Sequence, residues 1–145
     1  AAMLISFLAL IALCNVGLGF FEVGAAPLSL QRILGWAFRP MALLMGVPWA
    51  ETGQVGEILG TRLVVNEIVA FRDLHAMTAL SARSSAITTF AICGFANLSS
   101  IGVQIGGLGA LVPERKSDIA RLGLLALVAA TLANFSTACV AAVIL

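Results

Sequence analysis

Charged residues are scarce in this chain, and their scarcity excludes most soluble folds. Of its 145 residues, 10% are charged and 61% are hydrophobic, and the mean hydropathy is +1.08. A soluble domain carries about 25% charged residues. A single small core could not bury this much apolar surface, so lipid must act as the solvent. The composition therefore predicts an integral membrane protein.

Histidine and cysteine are also scarce, which leaves little material for a metal site or for catalysis. His75 is the only histidine, and none of the three cysteines stands at CxxC spacing from another. We interpret Cys14, Cys93 and Cys139, one in each long apolar stretch, as small thiols used in helix packing. The sequence predicts no metal site and no cofactor. A net charge of +1 gives no electrostatic basis for binding nucleic acid.

Long uncharged stretches are suited to crossing hydrocarbon about 30 Å thick. The uncharged run 1–21, which a break at residues 24–27 follows, predicts a spanning scaffold helix within segment 1–26. The uncharged runs 86–113 and 122–145 predict an interrupted spanning helix over 84–113 and a C-terminal spanning helix over 119–145. The first stretch begins at once, with no charged region before it, so we expect the chain to be cut from a longer one. We predict a multi-pass protein of the cell (inner) membrane.

Residues 27–47 have an amphipathic pattern. Arg32 and Arg39, seven residues apart, share one face of a helix. An apolar stripe at helical spacing occupies another face; it consists of Leu30, Ile33, Leu34 and Ala37. Basic residues on one side of a helix are typical of the membrane interface. We therefore predict an interfacial helix over 27–47.

Residues 48–80 contain no uncharged run long enough to span a bilayer. Two short apolar arms flank a more polar centre at residues 60–71, a pattern that indicates a re-entrant hairpin. Backbone that is not helical at such a depth is tolerated only where protein or a water-filled cavity surrounds it. The segment therefore predicts a cavity beside the hairpin tip.

Glu67 is the strongest candidate for a functional residue. A carboxylate within an apolar segment costs about 2.5–3.5 kcal/mol on insertion scales, so it normally faces a cavity or a partner. One interpretation is a structural ion pair with Arg62 or Arg72, although Arg62, five residues away, would not share a helical face with it. The other is a site for substrate hydroxyls, for a coupling cation or for a proton. Asn66 would support it with donors and an acceptor.

A polar cluster interrupts the uncharged segment 84–113. Asn97 and Ser100 would share one face if the backbone there were helical, and Gln104 would continue that face. Phe95 adds a flat apolar surface. Polar residues in spanning helices also serve as interhelical hydrogen bonds worth about 0.6 kcal/mol each. Together with Ser99 the cluster holds four polar residues, and four polar residues with an aromatic ring at a break favour a binding site instead.

A hairpin that carries a carboxylate, followed by a broken helix that carries amides, is typical of secondary transporters built from two inverted repeats. One such unit is present in this sequence. We therefore predict an all-α integral membrane fold that represents one half of an inverted-repeat transporter. Two other hypotheses remain: a structural helical membrane subunit without a substrate site, and a membrane-embedded enzyme with Glu67 as acid or base. For the enzyme the sequence offers no convincing nucleophile or metal cluster, so we predict a protein that is not an enzyme.

The same segments carry a family resemblance. Residues 60–71 (GTRLVVNEIVAF) resemble the G-x-K-x-x-x-N-E-F-V-A-[YF] signature of concentrative nucleoside transporters. Residues 94–101 (GFANLSSI), followed by 106–109 (GGLG), resemble the second signature of that family, and the resemblance covers essentially the whole chain. Two departures are Arg62, where Lys is usual, and Ile68, where Phe is usual.

The resemblance implies import of nucleosides by symport with Na⁺ or H⁺. By analogy Glu67, Asn97 and Ser100 would hydrogen-bond ribose hydroxyls, and Phe95 would pack against the nucleoside. The resemblance also implies a homotrimer in contact with membrane lipid. It places the site of the coupling ion and the base-reading hairpin in an N-terminal half that this sequence does not include.

Overall fold

Short helices joined by tight turns make up the computed structural model, which describes residues 2–24 and 26–145. Their bounds in chain order are α1 (Ala2–Leu18), β1 (Glu22–Val23), β2 (Ala26–Pro27), α2 (Leu30–Leu44), α3 (Thr52–Val64), α4 (Glu67–Ala76), α5 (Ala82–Ile92), α6 (Leu98–Leu111) and α7 (Lys116–Ile144). The strands pair antiparallel and are the only strands of the described residues. The fold is otherwise helical, as predicted.

The first helix ends earlier than the predicted segment 1–26. It stops at Leu18, and a turn with Gly24 at φ +73° leads through the two short strands. Asn15 then ties the start of α2 to α1, because its Oδ1 accepts from the Leu30 amide at 2.9 Å and its Nδ2 donates to Gln31 Oε1 at 3.0 Å. The uncharged run 1–21 predicts a helix that ends before Gly24, and α1 ends slightly earlier, at Leu18.

Helix α2 packs against α3 through glycines. Gly35 is buried, and a Cβ added to Gly56 or Gly60 would collide with the backbone of α2. Small residues permit such a close approach of helix backbones. Arg39 lies on this packed side, beside Gly53, whereas Ala37 of the apolar stripe is exposed. The interfacial position of α2 stays a prediction.

The predicted hairpin segment 48–80 contains α3 and α4, which are separated at Val65 and Asn66. Its two ends lie together, because the Ser81 hydroxyl donates to Glu51 Oε2 at 3.0 Å. The segment therefore leaves and returns to one side of the fold. Its re-entrant position in a membrane remains a prediction.

Helices α5 and α6 occupy the segment predicted as an interrupted span, 84–113, and residues 93–97 separate them. A 3₁₀ turn at Pro113–Arg115 then leads into α7, which begins at Lys116, three residues before the predicted start. The stretch Pro113–Ile144 is the one helix of the described residues that is long and apolar enough to cross a membrane.

The core joins five of the helices, α2, α3, α4, α5 and α7. Its buried residues include Ala42, Val55, Ile58, Leu59, Ala70, Leu74, Ile87, Ala91, Ile92, Phe135 and Ala138. Many large apolar side chains of α1, α6 and α7 remain exposed, such as Leu13, Leu111 and Val143. A surface of this kind is suited to lipid or to further protein, and not to water.

Candidate functional site

The hairpin tip is built by an asparagine cap. Asn66 has an extended backbone, and its side chain accepts a hydrogen bond from the Val69 amide at 2.9 Å. This cap starts α4, so Glu67 occupies the first turn of the helix. A carboxylate is favoured there because the N-terminal end of a helix carries partial positive charge. The predicted supporting residue Asn66 therefore positions Glu67 through the backbone.

The helix break is built by a second asparagine cap. Asn97 Oδ1 accepts a hydrogen bond from the backbone amide of Ser100 at 2.8 Å, and the backbone amide of Asn97 donates to Ser100 Oγ at 3.4 Å. Together these two bonds form a capping box. The sequence places these residues on one face only if the backbone there is helical, and that condition is not met, because Asn97 lies before α6 with an extended backbone. They are neighbours all the same.

The tip and the break are in direct contact. Asn97 Nδ2 donates to Glu67 Oε2 at 3.1 Å. The Ser99 hydroxyl donates to Asn97 Oδ1 at 2.6 Å and lies 3.4 Å from the Val65 carbonyl. Asn97 is fully buried, and Glu67 is half-buried. The two residues that the sequence singled out most strongly therefore lie together, 30 positions apart in the chain.

Neither of the arginines considered as ion-pair partners bonds to Glu67 within the described part of the chain. Arg72 is exposed and pairs with Asp73 at 2.9 Å. Arg62 donates to Thr131 Oγ1 at 3.2 Å and to the Gly94 carbonyl at 3.4 Å. Glu67 therefore forms no salt bridge with either arginine, although the positive charge of Arg62 interacts with its carboxylate at longer range.

The remaining predicted residues line a small cavity next to the break. Phe95, Ser100 and Gln104 face α7 across a space of about 160 Å³, with Gly123 and Leu127 on the opposite wall. The Phe95 ring is 61% exposed, whereas Ser100 is buried and its hydroxyl donates to the Asn97 carbonyl at 2.6 Å. Phe95 is therefore free to contact a ligand, and Ser100 acts first as a cap.

Other cavities of the described residues lack the polar groups of the tip and the break. One of about 280 Å³ between α2, α6 and α7 has an almost wholly apolar lining, and one of about 320 Å³ lies between α4 and α5 beside His75. No group of acidic, histidine or cysteine residues in the described ranges is arranged to hold a metal ion.

The depth of the site follows from its contact with α7. Thr131 is close to the middle of this 29-residue helix, and Arg62 joins it to both the hairpin and the break. If α7 crosses the bilayer, the tip and the break lie near the midplane. Sequence reasoning missed this link, since Arg62 and Thr131 are 69 positions apart.

A carboxylate-bearing hairpin tip held against the break of a second helix is the arrangement of a secondary membrane transporter. Comparison with known proteins agrees. Residues 1–142 match the family model described as the C-terminus of the Na⁺-dependent nucleoside transporters. The chain belongs to the concentrative nucleoside transporter family and corresponds to its C-terminal portion.

Individual relatives are similar over nearly the whole chain. An uncharacterized transporter of Bacillus subtilis is 48% identical over 97% of this chain, and a nucleoside permease of Helicobacter pylori is 43% identical over 97%. A solved structure of the transporter CNTnw in an intermediate state is 44% identical, with a TM-score of 0.87 over 99% of this chain and 37% of that one. The chain spans 35% of the length of these two bacterial relatives and 25% of the length of the mouse sodium/nucleoside cotransporter 1, to which it is also similar.

Proposed function

We propose that this chain is the C-terminal portion of a secondary active transporter that imports nucleosides by symport with Na⁺ or H⁺. The longer protein is called the complete transporter below. The observation that carries the proposal is the hydrogen bond between Asn97 Nδ2 and Glu67 Oε2, which joins the hairpin tip to the helix break. Family membership supports the choice of a nucleoside as the substrate.

The chemistry of the pair suits ribose. A sugar hydroxyl both donates and accepts hydrogen bonds. The carboxylate of Glu67 would accept a hydrogen bond from the hydroxyl, and the side-chain amide of Asn97 would donate one to the hydroxyl oxygen. The bond between the two side chains would then be exchanged for two bonds to the substrate. Glu67 lies at the N-terminal end of α4 and Asn97 at that of α6, which further favours negative charge between them.

The hydroxyl of Ser100 and the ring of Phe95 complete the proposed site. Ser100 lies beside Asn97 in the capping box and would support the ribose contact. The exposed Phe95 ring offers a face on which a base or sugar packs. Gln104, on the wall of the same cavity, would support the substrate one turn further along α6.

The remaining features of the complete transporter follow from the family. We propose that it is a multi-pass protein of the inner membrane, that it forms a homotrimer, and that the coupling ion binds in the N-terminal half. The site formed by Glu67 and Asn97 would face the base-reading hairpin of that half, in keeping with inverted repeats that enclose substrate near the midplane.

Uptake into proteoliposomes tests the proposal. The complete transporter should accumulate radiolabelled uridine or adenosine under an inward Na⁺ gradient or an inward proton gradient. Glu67→Gln should lower the uptake at least about tenfold, because it replaces a charged acceptor by a neutral amide. Glu57→Gln is the matched control, since Glu57 is exposed on the other arm of the hairpin. The proposal would be contradicted if neither the Na⁺ gradient nor the proton gradient drove nucleoside uptake.

A further inference from the structure

Arg62 is the one charged side chain among the buried residues of the described chain. It lies in the last turn of α3 with 1% exposure and is the largest of the fully buried side chains. Its Nη1 donates to Thr131 Oγ1 at 3.2 Å, and its Nη2 donates to the Gly94 carbonyl at 3.4 Å. The guanidinium therefore connects three parts of the fold: the hairpin, the helix break and α7.

A buried guanidinium is a poor choice for stability alone. Removing a charge from water costs several kcal/mol, and an apolar side chain of similar volume often stabilises a core as well or better. The salt bridges of the described residues, Arg72–Asp73 and Arg115–Asp118, leave Arg62 without a carboxylate in salt-bridge range. In the same part of the chain, its Nε donor has no hydrogen-bond partner. The arrangement therefore calls for a role other than packing.

The position of the Gly94 carbonyl indicates that role. Gly94 directly precedes Phe95 and lies three residues before Asn97, so its backbone sets where both side chains project. On its other side Gly94 is pressed against the Asn134 side chain of α7, leaving no room for a Cβ. Arg62 and Asn134 thus hold the start of the break between them.

Two bridges join the tip to the break. Arg62 donates to the Gly94 carbonyl, and Glu67 accepts from Asn97. The last bridge involves the proposed substrate groups, and ribose would replace it. The first involves no substrate group, so it remains available when the substrate binds.

We propose that Arg62 is a positioning residue for substrate binding, which fixes the break against the hairpin tip and α7 so that Phe95 and Asn97 are aligned with Glu67. This inference rests on the proposed function. Arg62 holds the break through the Gly94 carbonyl and Thr131, and its positive charge also interacts with the carboxylate of Glu67. Loss of the guanidinium should weaken nucleoside affinity in protein that remains folded.

The test measures the Kd of uridine and of adenosine by calorimetry on the purified complete transporter. Arg62→Met removes the charge and both donors at similar volume, and we expect an about tenfold rise in Kd, with thermal stability equal to or above that of the wild type. Arg62→Lys keeps the charge and can still donate to Gly94, so its Kd should lie between the two.

Arg83→Met is the matched control. Arg83 also donates to two backbone carbonyls, Gly46 at 2.7 Å and Ala142 at 2.8 Å, but it is exposed and does not contact the break. Its loss should lower the melting temperature and leave the Kd unchanged. Thr131→Val removes only the α7 partner of Arg62 and should raise the Kd less than Arg62→Met does, without adding to the effect of Arg62→Met in the double variant.

The outcomes separate the two proposals. If Arg62→Met folds and binds nucleoside with the Kd of the wild type, the proposed role of Arg62 is overturned. If Arg62→Met does not fold, the role is overturned when Arg62→Lys and Thr131→Val both have the Kd of the wild type. If the wild type and Arg83→Met both bind no nucleoside, the proposed function itself fails, and the positioning role fails with it.

Discussion

Substituting Asn97 separates its two roles, because the side chain uses different atoms for each. Oδ1 caps α6 by accepting from the Ser100 amide at 2.8 Å, while Nδ2 donates to Glu67 at 3.1 Å. Asn97→Ser keeps an oxygen that can cap the helix but removes the amide donor. Asn97→Ala removes both.

The expected magnitudes differ accordingly. Serine caps a helix about as well as asparagine, whereas alanine in place of asparagine costs about 1 kcal/mol. We therefore expect Asn97→Ser to change the free energy of unfolding by less than about 0.5 kcal/mol. Loss of the amide donor should weaken nucleoside binding by about 1–2 kcal/mol, which is an about fivefold to thirtyfold rise in Kd. Asn97→Ala should show this loss of affinity together with the loss of stability.

Two measurements on the purified complete transporter decide the matter. Calorimetric titration gives the Kd for uridine or adenosine, and thermal unfolding in detergent reports stability. The reasoning is refuted if Asn97→Ser binds nucleoside like the wild type, because Nδ2 would then have no part in the site. It is equally refuted if Asn97→Ser loses as much stability as Asn97→Ala.

Two further predictions concern the glycines that permit close contacts. Gly94→Ala should destabilise the fold by about 1–3 kcal/mol because its Cβ would collide with the Asn134 side chain. Adding Asn134→Ala should restore most of the lost melting temperature. If it restores none, this contact is not the cause of the destabilisation. Gly60→Ala should destabilise the fold by a similar amount, because its Cβ would collide with the Gln31 carbonyl of α2. Gly53→Ala should be nearly neutral, because the nearest atom to its Cβ would be a side-chain atom of Arg39 at 4.0 Å. Equal melting temperatures for these last two variants would contradict the glycine-mediated packing of α2 on α3.

The two interruptions of the chain were open to prediction because local chemistry creates them. Glu67 in an apolar hairpin, and an amide with hydroxyls in an uncharged span, are each costly in lipid unless they meet a partner. Their meeting at Glu67 and Asn97 follows from that cost. The family signatures lie at the same two places.

The backbone at these interruptions was harder to foresee. The spacing of Asn97 and Ser100 places them on one face only if the backbone there is helical, and an asparagine followed three residues later by a serine also fits a helix cap. Tertiary packing decides between the two, since the cap places Nδ2 against the hairpin. The sequence pattern by itself contains no information on that choice.

Contacts between distant segments were beyond sequence reasoning. The hydrogen bond from Arg62 to Thr131 joins residues 69 positions apart. The close packing of Gly56 and Gly60 against the backbone of α2 depends on how the two helices cross. The early end of α1 depends on the Asn15 side chain reaching Leu30 and Gln31. Each of these is a pairing that no local pattern records.

The most direct test of the central claim compares a ribonucleoside with its 3′-deoxy analogue on the complete transporter and on Glu67→Gln. The same comparison is made with the 2′-deoxy analogue. If Glu67 binds a ribose hydroxyl, the wild type should bind uridine at least about tenfold more tightly than one of the two analogues, 3′-deoxyuridine or 2′-deoxyuridine. Glu67→Gln should lose most of that preference for the same hydroxyl, because the partner of the hydroxyl is gone. If Glu67→Gln retains the full preference of the wild type for both hydroxyls, Glu67 does not hold the ribose and the account of the site is wrong.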